Sequence, residues 1–286
     1  MVDSVFPRET KRRLLARIIF SVLKNPWSIL CKINLKRIHK LFRCIFMGDG
    51  FGLKEKLKLF FDLFEPCATK FKIYYPPASG KLNLLQFDKA ENPQVSIIIP
   101  VYNQWLHTYC CLLSISENTK DISYEIIVAD DVSTDETIKI CDYAKNISVI
   151  RNQTNLGFLL NCNNAAKYAN GRYIVFLNND VNVQENWLKS LVDLIESDSK
   201  IGMVGSKLVY SNGRLQEAGG IIWSDAIGWI YGRMDDPNKP EYNYVKECDY
   251  ISGASIMIKT DLWKQIGGFD ERFVPAYYED ADLPSK

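Results

Sequence analysis

The sequence predicts an α/β fold with a mostly parallel central sheet flanked by helices, and three observations predict it. Short apolar, β-branched runs recur after residue 93, at 95–101, 124–129, 147–150, 172–177 and 201–204. Most of the stretches between them are of helical length, so successive strands cross over and lie parallel, with right-handed connections. Two of the runs end directly in acidic turns, Asp130-Asp131 and Asn178-Asn179-Asp180. Acidic loops at the carboxyl ends of parallel strands are where an open α/β sheet binds ligands.

The elements follow in order. Residues 95–101 form a buried strand closed by Pro100-Val101, and Asn103 is placed to cap a helix running through Ser116. After the strand at 124–129, Ser133 and Glu136 have capping-box spacing for a helix through Ala144. The strand at 147–150 precedes Asn155-Leu156-Gly157-Phe158 and a helix to Ala169. The strand at 172–177 leads to a helix over 187–195 and a fifth strand at 201–204. No G-x-G-x-x-G follows residues 95–101, which argues against a dinucleotide site on this sheet.

A chain of 286 residues is long enough for one such domain plus an appendage. Hydrophobic content of 47% and charged content of 24% are those of a globular protein. The net charge of +1 conceals an asymmetry: residues 1–60 hold fourteen Lys/Arg against four Asp/Glu, a balance of +10, and the remainder balances at −9. The division expected is 1–90, a basic helical region with the linker Pro76-Pro77-Ala78-Ser79-Gly80, and 91–286, the sheet domain. The basic front mixes Leu, Ile and Phe with Lys and Arg at helical spacing. That pattern fits peripheral contact with an anionic membrane, or a helical cap on the main domain or a partner. The Gly-rich cluster at 48–52 follows no strand and leads into no GK[ST], so it reads as a helix break rather than a phosphate loop. No run of about 18 apolar residues occurs, so no spanning helix is expected. Eight cysteines without CxxC spacing read as reduced core residues of a cytoplasmic protein. The two histidines, His39 and His107, sit in expected helices and are not assigned to catalysis. No nucleic-acid partner is expected.

The chemistry-bearing residues are carboxylates. Asp130 and Asp131 together exceed what a helix cap needs, and a carboxylate there can accept a hydrogen bond from a base N–H or a ribose hydroxyl. Pro100, Tyr102 and Asn103 offer a flat aromatic ring and an amide as a cradle for a nucleobase. Asp180 beside a diphosphate can hold Mg²⁺ or Mn²⁺, which prefer oxygen ligands. Near the end of the chain, Asp270-Glu271 and Glu279-Asp280 supply paired carboxylates that can serve as general base and orienting partner, since pairing pushes one pKa upward.

Taken in order, Ser96-Ile97-Ile98-Ile99-Pro100-Val101-Tyr102-Asn103, Asp130-Asp131-Val132-Ser133-Thr134-Asp135, Asn155-Leu156-Gly157-Phe158, Asn178-Asn179-Asp180, Gly267-Gly268-Phe269-Asp270-Glu271 and Glu279-Asp280 resemble family 2 of the inverting glycosyltransferases, over about residues 94–283. The resemblance implies a GT-A nucleotide-sugar fold. With Gln216-Glu217-Ala218-Gly219-Gly220, it looks most like the bacterial O-antigen and polysaccharide branch. By the resemblance, Pro100, Tyr102 and Asn103 line the nucleotide pocket, and Asp130 and Asp131 hold base and ribose. Asn178, Asn179 and Asp180 match the family's DxD region, with Asp180 as metal ligand to Mg²⁺ or Mn²⁺ and Asn178 in place of the first acid. Gly253 and Ala254 match a small-residue turn beside the sugar. Asp280 matches the acid of the ED motif, the general base, with Glu279 orienting it or the acceptor. The partners implied are a nucleotide-sugar donor and a saccharide or lipid-linked acceptor, met at the inner face of the membrane. The family normally continues beyond its ED motif, so a truncated chain is expected, with a catalytically inactive nucleotide-sugar-binding or scaffold protein as the alternative function.

Overall fold

The computed structural model describes residues 71–77, 82–275 and 277–285. Apart from Asn212–Arg214, they belong to one unit of residues 69–211 and 215–286. The expectations for the basic front, for the cluster at 48–52, for His39 and for Cys31, Cys44 and Cys67 lie outside the described residues.

The strands are β1 (Leu85–Gln86), β2 (Val95–Val101), β3 (Tyr124–Asp130), β4 (Ala144–Lys145), β5 (Ser148–Arg151), β6 (Tyr173–Leu177), β7 (Met203–Gly205), β8 (Leu208–Val209), β9 (Leu215–Glu217), β10 (Gly220–Ile222), β11 (Gly228–Ile230) and β12 (Ser255–Lys259). The helices are α1 (Trp105–Asn118), α2 (Ile140–Tyr143), α3 (Gly157–Ala166), α4 (Trp187–Ser197), α5 (Thr260–Ile266) and α6 (Glu279–Asp282). Six strands form the central sheet in the order β5-β3-β2-β6-β12-β7.

Every residue of β2 is buried, because both faces of the sheet are covered. Alternation along the strand sorts them. Ile97, Ile99 and Val101 join a core with Tyr109, Leu112 and Ile115 of α1 and Leu188, Leu191 and Ile195 of α4. Ile98 joins the opposite core, with Leu159 and Cys162 of α3, Phe176, Ile256, Trp263 and Phe269. Each fully buried Ile or Leu contributes about 1.5–3 kcal/mol over an exposed one, so truncating Ile98 would strike the second layer directly.

β2, β3, β5 and β6 are parallel, whereas β12 is antiparallel to both β6 and β7. This one reversed strand positions the site. Pairing Ser255 with Leu177 sets the start of β12 against the end of β6, so the turn before β12 meets the polar loop after β6. Between β7 and β12 the chain makes two small antiparallel pairs, β8 with β9 and β10 with β11.

Several local expectations are corrected. Asn103 does not cap α1. It lies in the left-handed region at φ 58, its Oδ1 accepts from the Thr134 and Asp135 amides, and Asp135 Oδ2 accepts from Trp105 N at 2.9 Å instead. Ser133 and Glu136 form no capping box: Asp135 accepts from Thr137 N, and a 3₁₀ turn over Glu136–Lys139 leads into α2, which stops at Tyr143 so that β4 can pair with β1. α3 ends at Ala166, short of Ala169. The fifth strand is displaced to Met203–Gly205 and lies at the sheet edge. Tyr74, Leu85 and Phe87, which precede β2, are buried in the core with β2 and α1. Cys110, Cys111 and Cys162 are buried as expected, but Cys141 is exposed on α2 and Cys248 is half-buried, so those two are not core residues.

Candidate active site

At the carboxyl ends of β2 and β3, two loops brace each other. Asp131 N donates to Val101 O, and Asn103 N donates to Ser133 Oγ at 2.7 Å. Between them Val132 adopts φ 65, a strained conformation for a β-branched residue. Asp130, 1% exposed, holds this turn: its Oδ1 accepts from Ser133 N and its Oδ2 pairs with Arg151 Nη1 at 2.8 Å. Asp131, 3% exposed, accepts from Asn152 Nδ2, Leu156 N and Gly157 N. It thereby fixes the left-handed Gly157 that opens α3. Both acids are tied into the protein. Tyr102 is the exposed member of this end, at 56%, while Pro100 is buried in β2.

Sequence reasoning missed the amides behind Asp131. Asn161 donates to Ala129 O and accepts from Asn152 Nδ2, and Asn164 donates to Asn152 Oδ1. The available signal was Asn161-Cys162-Asn163-Asn164 within a helix, since asparagine is a poor helix interior residue without an inward partner.

At the β6–β12 junction the second group assembles. Asn178 N donates to Ala254 O at 3.0 Å, joining the polar loop to the small-residue turn. Asn179 Nδ2 donates to Thr108 Oγ1. Asp180 is exposed, and among the described residues no hydrogen bond or ion pair engages its carboxylate. One residue before Ala254, Gly253 N donates to Asp280 Oδ2 at 2.9 Å. A Cβ built on Gly253 would lie 3.6 Å from the Phe158 ring and 3.7 Å from Asp280 Oδ2, so this glycine sits between α3 and the acid. Two exposed tyrosines in the left-handed region, Tyr277 and Tyr278, lead into α6.

Glu279 is 8% exposed, and among the described residues its Oε2 has no hydrogen-bond partner. Burial pushes its pKa up, and the negative charge of Asp280 adds to the shift. Glu217 of β9, buried at 4%, was quoted in the sequence only as part of a motif; its Oε1 accepts from Ser252 N, and burial and Asp280 raise its pKa too. Tyr250 is raised to about 12 by burial and by the charges of Glu217 and Asp280. Buried Cys162 senses both Glu279 and Asp131, after the dominant effect of its own burial, so α3 spans the two acidic groups.

A cavity of about 580 Å³ opens beside the polar loop, lined by Asn178, Asp180, Gln216 and Ala254 among others. A larger one, of about 1170 Å³, runs beside β7 and the 242–248 segment and carries none of these acids. Among the described residues no three His, Cys, Asp or Glu side chains converge as a metal cage. The uncommitted Asp180 carboxylate is nonetheless the donor type a hard divalent cation takes, and a diphosphate and waters would complete its shell. His107 is exposed on α1.

Residues 96–264 match the model for the family described as glycosyl transferase family 2, and the chain belongs to that family. The O-antigen biosynthesis protein RfbC of Myxococcus xanthus is 24% identical over 74% of this chain and 16% of its own length. Polypeptide N-acetylgalactosaminyltransferase 6 of Bos taurus is 25% identical over 63% of this chain and 32% of its own. The chain thus spans less than half the length of these curated relatives. A solved structure of GalNAc-T7 with UDP, GalNAc and Mn²⁺ aligns at a TM-score of 0.51 and 18% identity, covering 67% of this chain and 39% of that one. The likeness is one of fold, and the fold is GT-A.

Proposed function

We propose, from membership of glycosyl transferase family 2, that this protein moves a sugar from a nucleotide-sugar donor to a hydroxyl of a saccharide or lipid-linked acceptor, with inversion, in surface polysaccharide synthesis. One observation carries the reading. The turn at 252–254 offers one amide to Asp280 and, one residue later, one carbonyl to Asn178, so the base and the diphosphate loop hang on the same backbone.

In this reading Asp280 takes the proton of the acceptor hydroxyl. The oxygen then attacks the anomeric carbon from the face opposite the diphosphate, and the bond to the nucleoside diphosphate breaks with its electron pair. Glu279 lies behind Asp280 and orients it. The nucleotide rests over the ends of β2 and β3, against Pro100, Tyr102 and Asn103, in a pocket whose walls Asp130 and Asp131 hold. Asn178, Asn179 and Asp180 face the diphosphate beside the cavity, with Gly253 and Ala254 next to the sugar. Mg²⁺ or Mn²⁺ held at Asp180 would offset charge on the leaving group.

The test is transfer from a panel of UDP-, dTDP- and GDP-sugars, with and without EDTA. Turnover that survives EDTA removes the metal from the mechanism, and the absence of transfer from every donor removes the activity. The positive front supports a further proposal, association with anionic membrane at the cytoplasmic side. Each Lys or Arg near such a surface contributes about 1 kcal/mol. The full chain should sediment with anionic vesicles at low salt and be released at high salt; sedimentation unaffected by salt contradicts it.

A further inference from the structure

Glu217 is out of place by ordinary rules. It ends a three-residue strand, is almost fully buried, and among the described residues no cation pairs with it. A buried carboxylate without an ion pair is costly to keep, and such groups concentrate where chemistry is done. Its surroundings show what it holds. Glu217 Oε1 accepts from Ser252 N at 3.1 Å, and the very next amide, Gly253 N, donates to Asp280 Oδ2 at 2.9 Å. Two consecutive backbone amides are therefore divided between two carboxylates, one anchored on β9 and the other on α6.

β9 is itself well fixed. Leu215 N donates to Asp235 O, Met234 N donates to Leu215 O, and Glu217 pairs with Leu208 of β8. Gln216, the residue before, lines the cavity that Asp180 and Ala254 share, while Glu217 turns to the 252–254 turn, as strand alternation requires. One strand thus touches both halves of the site.

We propose that Glu217 is a positioning residue for the transfer step: by anchoring the Ser252 amide it sets the Gly253 amide that holds Asp280. The proposal rests on the reading of Asp280 as the general base. Glu217 acts through the turn and touches no reacting atom.

The experiment compares Glu217→Gln, which keeps an acceptor oxygen, with Glu217→Ala and with Glu217→Leu, which fills the space without an acceptor. The full chain is used, with the donor and acceptor found in the panel. Glu217→Ala and Glu217→Leu should lower kcat by roughly a hundredfold, the scale of a small displacement of a reacting group. UDP affinity in the presence of Mn²⁺, read by calorimetry, should stay within about twofold, and Glu217→Gln should keep kcat within a few-fold of the parent. Unchanged kcat in both acceptor-free variants, a parallel loss of UDP affinity, or a Gln variant as impaired as the Ala variant overturns the proposal. A second readout needs no turnover. Amide exchange at Ser252 and Gly253, followed by NMR, should speed up in the Ala and Leu variants and not in the Gln variant. If the parent transfers no sugar yet the exchange pattern holds, the failure belongs to the reading of the reaction; if exchange does not change, it belongs to Glu217.

Discussion

Along the carboxyl edge of the sheet, two groups of carboxylates are treated in opposite ways. At the β2–β3 end, Asp130 and Asp131 are buried, but their oxygens are met by an arginine, an asparagine and three backbone amides. At the β6–β12 junction, Glu279 is buried with one oxygen unpartnered among the described residues, Glu217 is buried against the Ser252 amide, and both have Asp280 as a like-charged neighbour. The first arrangement is that of acids that stabilise a loop framework. The second holds acids in a state the fold alone would not favour, which is how a site keeps a proton acceptor ready. Adjacent acids in a sequence look alike in both cases; their partners separate them.

The sharpest way to break this contrast is to remove one acid from each group. Asp280→Asn should lower transfer by about 10²–10⁴-fold, the scale of general-base catalysis, and leave UDP affinity unchanged. Its melting temperature should stay near that of the parent, because Asp280 is only half-buried and Gly253 N can still find an oxygen on the amide side chain. A parallel collapse of UDP binding or of stability would place Asp280 in the framework instead.

Asp131→Ala should do the reverse. It leaves the Asn152 side chain and the Leu156 and Gly157 amides without their acceptor, each bond to a charged group being worth about 1.5–3 kcal/mol. The expected loss is about 3 kcal/mol or more, seen as a lower midpoint in urea. A variant as stable as the parent would refute the framework role.

Glu279→Gln sharpens the other half. A raised folded pKa means that the folded state binds this proton more tightly than the unfolded chain does. That contribution to stability is full below the unfolded value and is lost as pH rises through the raised value. At pH 7 the parent has therefore lost stability that glutamine, which does not ionise, keeps. The variant should melt higher than the parent at pH 7, and the difference should vanish below about pH 4, under the ordinary glutamate value. Transfer should fall at the same time. Equal melting at pH 7 would show that Glu279 is compensated after all.

How much of this was legible in the sequence depends on range. β2, β3 and β6 were readable because each is a local apolar run, largely buried on both faces, and the edge strand β5 from its short β-branched run. β12 was not singled out: its five residues, Ser255 to Lys259, carry no mark of running antiparallel between β6 and β7. That insertion is what brings Gly253 and Ala254 to Asn178, so the site's assembly rests on a long-range pairing. The acids after β3 and in the Glu279-Asp280 pair were found by type and spacing. Their difference in compensation was not, since it depends on Arg151, Asn152 and the amides of residues 156 and 157, up to 26 positions away. Glu217 lies 63 positions before Asp280, and only the 252–254 turn connects them.

The smallest structural change tests the space between the two groups. Gly253 is not in the left-handed region, and a Cβ there would meet the Phe158 ring and Asp280 at ordinary contact distances, 3.6 and 3.7 Å. Gly253→Ala should therefore fold, and stability should shift by less than about 1 kcal/mol, the usual size of a Gly to Ala effect at a compatible backbone. The added methyl would nonetheless stand between α3 and the proposed base, where the sugar and the incoming hydroxyl must meet. Transfer should drop about tenfold with UDP affinity unchanged, measured as kcat beside calorimetry on the same preparation. If transfer is untouched, the reacting atoms do not pass over Gly253, and the acceptor approaches Asp280 from another side.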